Sequence, residues 1–285
     1  MSKEKKVIKD TEYMVTKIVC NFNLSQVCRS GQCFRMSERE DGRFAVIAGN
    51  RYLEVWQDKE QCYFDCEDTE FETFWKHYFD LDEDYGSYIK QISTEDVYLK
   101  TAADFGSGIR ILQQDLWEMI VSFLISQQNN ITRIRRCIQN ICEAYGKQQK
   151  NKRGTYYSFP EPEILAVLDE EDLKACNLGY RSKYVVRTAK NIAEHKPNLE
   201  KISKMSYLAA RNELLKLYGV GEKVADCICL YALHKLQAFP VDTHIRQAME
   251  KHYKQGFPAD RYEGFQGVLQ QYIFYYELYG KQAFK

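Results

Sequence analysis

The stretch "NELLKLYGVGEKVADCICLYAL" (212–233) reads as helix, tight turn, helix, with glycines 219 and 221 bracketing Val220. Glycine accepts the positive-φ geometry such a turn needs, so the carboxyl-terminal half of the chain is expected to be built from helices hinged on such turns. Missing side chains also expose backbone N–H groups where the second helix begins, and the helix dipole favours an anion there. A phosphate is the expected guest. The turn by itself identifies nothing, because many helix pairs turn on glycine.

With 285 residues the chain can bury a sizeable core in one large or two ordinary domains. Its hydrophobic and charged fractions, 45% and 28%, are those of a soluble globular protein. No apolar run approaches the roughly 18 residues of a membrane span. The polar start, "MSKEKKVIKDTEY", lacks a signal-peptide apolar stretch, so a cytoplasmic chain is expected, with its ten cysteines as thiols and most of them in the core. Cysteines 62 and 66 have no partner at metal-site spacing, so no zinc is read there. The net charge is zero, which alone argues against nucleic acid. Yet residues 1–130 hold 15 Lys and Arg against 23 Asp and Glu, while residues 131–285 hold 25 against 17. That asymmetry suggests one acidic and one basic face, and a basic face can dock on phosphates; chance bias of a solvated surface is the alternative.

Between 13 and 65, runs such as "FAVIAGNRYLEVWQ" and "QCYFDC" are broken by "DG" and "GN" turn signals, the pattern of an antiparallel sheet. Helical spacing starts at 67–85, with Phe71, Phe74, Trp75 and Tyr78 on one stripe. "DLWEMIVSFLISQQ" places Leu116, Ile120, Phe123 and Leu124 on one helix face, with Asp115 as its cap. "EPEILAVLDEEDLKAC" and "KYVVRTAKNIAEH" read as two further helices, and "GKQQKNKRGTYYSF" as a polar loop. The expected fold is α+β: an antiparallel sheet domain with helices over residues 1–100, then an all-helical domain over 101–285.

Lys223 lies in the first helical turn after the glycine hairpin, with Cys227 one turn further along the same face. An ammonium at a helix N-terminus is electrostatically unfavourable, and partial burial also favours the neutral amine, so a nucleophile is one reading. A lysine that snorkels to solvent or binds phosphate is the other. Asp242, in "FPVDTHIRQAMEKHY", is well placed to cap a helix. The same rigidly held carboxylate could face a cationic sugar centre, and the two readings are compatible.

Leu-x-Gly-Val-Gly-x-Lys followed by Pro-Val-Asp resembles the helix-hairpin-helix base-excision DNA glycosylases, and specifically their 8-oxoguanine branch. "SGQCFR" (30–35), "SFLISQQNNITRI" (122–134), "LGYRSKYV" (178–185) and "QQYIFYY" (270–276) follow the family's order, so the likeness spans roughly 20 to 280. The resemblance implies two helical subdomains flanking an active-site cleft. It implies that Lys223 attacks C1′ of the damaged nucleotide and Asp242 supports that step. Gly31 would read the N7 hydrogen of 8-oxoguanine through its backbone, Cys227 and Phe274 would sandwich the extruded base, and Gln270 would bond its Watson–Crick edge. Gln128, Arg133 and Arg181 would hold the orphaned partner base, with Tyr180 as the wedge. Gly219, Gly221 and His244 would meet DNA phosphate, and the carbonyls of Leu215, Leu217 and Val220 would hold a monovalent or divalent cation. Each residue also has a bland reading, as core aromatic, turn glycine or helix end; their joint order with Lys223 and Asp242 favours the functional one.

Further implications are a bifunctional glycosylase and abasic-site lyase that needs no cofactor, acts as a monomer on double-stranded DNA carrying 8-oxoguanine, and has no membrane partner. Its workplace would be the nucleoid of a bacterium or a eukaryotic nucleus. No cysteine follows Cys229, so the iron–sulfur cluster of the adenine-excising and endonuclease III-like branches is not expected. A glycosylase for another damaged base, or a non-catalytic hairpin module binding DNA, are the rival readings. Three departures stand out: Tyr218 replaces a usual proline, Met36 a common tryptophan, and Gln128 the asparagine of the eukaryotic enzymes.

Overall fold

A computed structural model describes residues 14–280; the polar start that bore on export lies outside them. Five antiparallel strands, β1 (Val15–Ile18), β2 (Met36–Glu38), β3 (Phe44–Ala48), β4 (Arg51–Asp58) and β5 (Gln61–Phe64), lie in the order β1-β5-β4-β3-β2. In β3, buried Phe44, Val46 and Ala48 alternate with less buried Ala45 and Ile47, so one face of the sheet packs inward. The expected turns appear: Ala48 pairs with Arg51 across Gly49–Asn50, and Gly42 takes φ +81. The all-strand reading of 13–65 missed the short helix Leu24–Arg29, which Asn23 caps through a 3.0 Å bond from the Gln26 N–H. Beneath the sheet lies one core, with Phe64, Phe71, Trp75 and Phe79 packed ring against ring. The expected aromatic stripe is there, with Phe74 only partly buried and Phe71–Trp75 wound as one π-turn within the helix.

From Tyr85 onward, buried apolar side chains belong to a second, helical core, except Leu112, which joins the core beneath the sheet. Asp115 caps the Leu116–Ser126 helix, accepting from the Glu118 N–H at 2.8 Å, and Ile120, Phe123 and Leu124 are buried as expected. Ser182–Ala193 forms the helix read from "KYVVRTAKNIAEH". Two readings are corrected. "GKQQKNKRGTYYSF" is a hairpin, β6 (Gln148–Asn151) against β7 (Gly154–Tyr157), not a loop. Neither strand has an apolar face to betray it, because the hairpin is anchored from afar: Lys152 and Arg153 pair with Asp65 at 2.8 and 3.1 Å, and the Tyr156 hydroxyl donates to the Asn50 carbonyl at 2.9 Å. "EPEILAVLDEEDLKAC" is not one helix but Pro162–Ala166, a turn, and a single 3₁₀ turn at Lys174–Cys176. Asp169 accepts from the N–H groups of Glu171 and Asp172, offering the backbone a local alternative to helix.

The two layers are joined by buried polar groups. Arg35, just after the "SGQCF" loop, pairs with Glu118 at 3.3 Å with both side chains under one tenth exposed. Arg110 donates to the carbonyls of Asp80, Glu83 and Cys20, and His234 meets Asp80 at 3.0 Å. These joints hold the Ser30–Gln32 loop of the sheet layer against the helical layer, where the cleft opens.

Candidate active site

Glycine is obligatory at one of the hairpin's two positions. Gly219 adopts φ +86, and a Cβ there would sit 2.7 Å from the Tyr184 ring. Gly221 is extended, opens onto free space and caps the helix Glu222–Tyr231. In the first turn of that helix, the partly buried Lys223 points its Nζ over the Phe123 ring, 5.2 Å from the centroid. Cys227, on the same helix face, is buried. Burial pushes its thiol up to about 11, although the Lys223 ammonium beside it pulls the other way. The cysteine is therefore a neutral, apolar wall at physiological pH.

Asp242 caps the helix Thr243–His252, accepting from the Ile245 N–H at 2.8 Å through Oδ1. The cap immobilises the carboxylate, as its structural reading expects. Lys223 and Asp242 share the wall of a cavity of about 880 Å³ with Gly31, Gln128, Gly221, His244 and Phe274. Its floor continues into a space of about 40 Å³ enclosed by Gly31, Phe123, Lys223, Cys227, Tyr231, Pro240, Asp242, Gln270 and Phe274. That is room for a water or so, not for a purine.

Two residues that line this floor carry an acceptor without a partner among the described residues. Gln270 is buried and its Nε2 donates to the Pro240 carbonyl at 2.9 Å; a carbonyl only accepts, so Oε1 must turn away, and it has no partner. Gly31, at φ +77, packs so closely on Phe274 that a Cβ would lie 3.1 Å from the ring. Among the described residues its carbonyl accepts no hydrogen bond.

The remaining expected residues lie elsewhere. Gln128 stands at the cavity rim, past the end of the Leu116–Ser126 helix, exposed and left-handed at φ +48. His244 is exposed at the same rim, its ring 6.0 Å from that of Phe274. Tyr180 is 47% exposed and meets Tyr184 edge-on, and Tyr184 in turn meets Tyr218. Arg133 is exposed and donates to the Asn177 carbonyl at 3.4 Å. Arg181 differs from a side chain free to meet a base: it is 3% exposed and donates to the carbonyls of Gln127, Gln128 and Leu178. Its guanidinium ties down the loop that presents Gln128. At the hairpin, Leu215 follows the helix Tyr207–Leu214 and the Leu217 carbonyl already accepts from Val220 at 3.1 Å.

Tyr231 was not singled out in the sequence, and Phe123 and Pro240 were given no place in the cleft. A signal existed for Tyr231, which follows Cys227 by four residues on the face that carries Lys223. Phe123 was read only as helix core, which it also is.

Residues 14–120 match the model of the 8-oxoguanine DNA glycosylase N-terminal domain, and residues 121–258 that of the HhH-GPD superfamily of base excision DNA repair proteins. The chain is similar to the 8-oxoguanine glycosylase/lyase of Clostridium acetobutylicum, solved with double-stranded DNA containing cytosine opposite 8-oxoguanine. The two share 37% identity and a TM-score of 0.88, over 95% of this chain and 99% of that one. A yeast (Saccharomyces cerevisiae) N-glycosylase/DNA lyase is 36% identical over 159 residues, 52% of this chain and 42% of the yeast protein. A probable N-glycosylase/DNA lyase of Methanothermobacter thermautotrophicus is 34% identical over 60% of this chain and 59% of its own length. The matched stretch thus spans less than two thirds of each of these two relatives. With both halves of the chain matched in order and the clostridial likeness running almost end to end, the chain belongs to the 8-oxoguanine DNA glycosylase family of the HhH-GPD superfamily.

Proposed function

We propose that the protein excises 8-oxoguanine from duplex DNA and cleaves the resulting abasic site. The observation that carries this reading is the pair of unpartnered acceptors, Gln270 Oε1 and the Gly31 carbonyl, on the floor that Lys223 and Asp242 also line. 8-Oxoguanine offers donors on both edges, N1–H and N2–H at one and N7–H at the other. Guanine has an acceptor at N7 and so opposes one of the two, whereas adenine has acceptors at both N1 and N7 and opposes both. Because the floor holds about 40 Å³, an extruded base must part Phe274 from Cys227 and stack between them. Tyr180 is the exposed aromatic able to fill the gap in the duplex.

As the glycosidic bond breaks, positive charge grows at C1′ and the Asp242 carboxylate, immobilised by its cap, offsets it. The Lys223 amine bonds to C1′ while the base leaves with the bond's electron pair; loss of the amine proton and ring opening give a Schiff base. The Schiff base acidifies the C2′ hydrogen, and its removal expels the 3′ phosphate. Gly219 and Gly221 with His244 would meet the phosphate backbone. Gln128 and Arg133 would face the orphaned base, with Arg181 positioning their loop. The carbonyls of Leu215, Leu217 and Val220 follow a helix C-terminus, where the dipole favours a cation; a bound ion there would brace the hairpin against phosphate. No helix among the described residues is long and apolar enough to cross a membrane. We place the enzyme, as a monomer divided near residue 100, wherever the cell keeps its DNA. Borohydride reduction during turnover on an 8-oxoguanine duplex tests the reading: a covalent protein–DNA product is expected, and its absence would reduce the chain to a DNA-binding module.

A further inference from the structure

Gln271 follows Gln270 on the helix Gln266–Tyr275 and so projects about 100° away from it around the helix axis. Gln270 faces the cavity floor, whereas Gln271, fully buried, donates from Nε2 to the Ser30 carbonyl at 2.8 Å. Its Oε1 accepts from the hydroxyl of Tyr231. The amide cannot be reversed without loss, because the Ser30 carbonyl only accepts. Burial raises the Tyr231 hydroxyl well above its ordinary range, so it remains a donor at every relevant pH. Tyr231 is itself held by stacking on Phe123, centroid to centroid 5.5 Å.

The Ser30 carbonyl belongs to the peptide that immediately precedes Gly31. On the other side of the glycine, the Gln32 carbonyl accepts from Gln114 at 2.9 Å, and the Gln32 side chain is bonded to Arg110 and Leu112. Those contacts fix the loop to the segment 110–114. Among the described residues, the Gln271 bond is the one hydrogen bond from the Gln266–Tyr275 helix to Ser30–Gln32. Since that helix also carries Gln270 and Phe274, the bond sets the spacing between the two acceptors and the ring.

We propose that Gln271, oriented by Tyr231, is a positioning residue for lesion selectivity: by holding the Ser30–Gly31 peptide it fixes the glycine from which the next carbonyl, that of Gly31, meets the N7 side of the base at a set separation from Gln270 Oε1. This rests on the reading of Gly31 given above. Selectivity then depends on a side chain that never touches the base. The abasic-site step does not depend on it, because no base is present to be read.

Gln271→Met keeps the volume and removes both hydrogen bonds. We expect single-turnover excision opposite cytosine to fall about tenfold or more, with cleavage of a preformed abasic duplex unchanged. On uncleavable 2′-fluoro duplexes, its affinity ratio for 8-oxoguanine over guanine should fall by a similar factor. Tyr231→Phe keeps the ring stack and removes one bond, so the ratio of excision to abasic cleavage should fall in the same direction by about threefold; if Gln271→Met does not fold, this variant decides. Equal loss of excision and abasic cleavage, or no loss of the affinity ratio, overturns the proposal while leaving the Gly31 reading intact. A wild-type protein that binds 8-oxoguanine no better than guanine overturns both.

Discussion

The described arginines of the sheet layer are all paired with carboxylates, whereas the helical layer, which pairs Arg153 and Arg211, leaves exposed ones unpaired. Arg29, Arg35, Arg39, Arg43 and Arg51, the described arginines before residue 110, each lie within 3.8 Å of a carboxylate. In the helical layer, Arg133, Arg136, Arg187 and Arg246 are exposed and form no ion pair among the described residues. Exposed ion pairs add little stability, so the chief effect of pairing is to cancel the field of those arginines. Cations without carboxylate partners keep their field and can exchange counterions for DNA phosphates. The zero net charge of the chain is thus the sum of an acidic region, whose described arginines are paired, and a basic one with exposed arginines that are not. The residues of the proposed chemistry are divided likewise: Lys223 and Asp242 stand on the helical side, while the sheet layer sends one glycine across.

The largest test of that division is Lys223→Gln. Excision and borohydride trapping should vanish while folding and lesion binding persist, since a polar chain of similar length remains; normal excision would sink the assignment. Asp242→Asn should slow excision by about 100-fold and spare binding, because the amide still caps the helix but cannot offset charge at C1′. Asp242→Ala should lose about 1 kcal/mol of stability as well. Equal melting losses in the two variants would favour a purely structural aspartate.

At the cleft rim, 8-oxoguanine opposite cytosine should be cut fastest, by about one order of magnitude over the other partners. Gln128→Asn should sharpen this preference, both by shortening a flexible arm and because asparagine tolerates the left-handed backbone found there. Arg133→Ala should flatten it. Single-turnover rates on four duplexes check both; indifference of the wild type to the partner would remove these residues from base reading.

Salt dependence probes the comparison directly. Affinity should fall steeply with salt, and Arg187→Ala or Arg133→Ala should lower the log–log slope by about 1, whereas Arg43→Ala should leave it unchanged. Equal shifts from both layers would erase the distinction drawn above. The smallest effect concerns the joint between layers. Burial alone would raise the Asp80 carboxyl, but hydrogen bonds from His234, Tyr85 and Gln113 hold it below the usual carboxylate range. A carboxyl depressed in the folded state stabilises above its unfolded value, about 3.9, and loses that contribution as pH falls through the folded value. Asp80→Asn should therefore flatten the acid limb of a melting profile below about pH 4; an unchanged limb would show the pair to be neutral to folding.

Much was legible before any coordinates. Alternation in "FAVIA", the glycine turns and the caps Asp115 and Asp242 are encoded within a few residues, because a cap bonds three positions on and a strand shows its pleat every second residue. Lys223 and Asp242 were legible for the same reason, as residues attached to local signals. The β6–β7 hairpin was not, since its anchors Asp65 and Asn50 lie about a hundred residues away. Nor was the interrupted helix near 169, where competing aspartate bonds outweigh a plausible periodicity.

By itself the sequence determined the element types of both layers, the glycine hairpin and the identity of the chemical groups. The tertiary structure alone decided which acceptors are left unpartnered. Arg181, expected at the orphaned base, is bonded to carbonyls of Gln127, Gln128 and Leu178, whereas Gln270, expected at the extruded base, keeps its buried Oε1 without a partner. Hydrogen-bond satisfaction is a property of the whole folded neighbourhood: an acceptor is available only if every element packed around it offers no donor, and that cannot be read from any one segment.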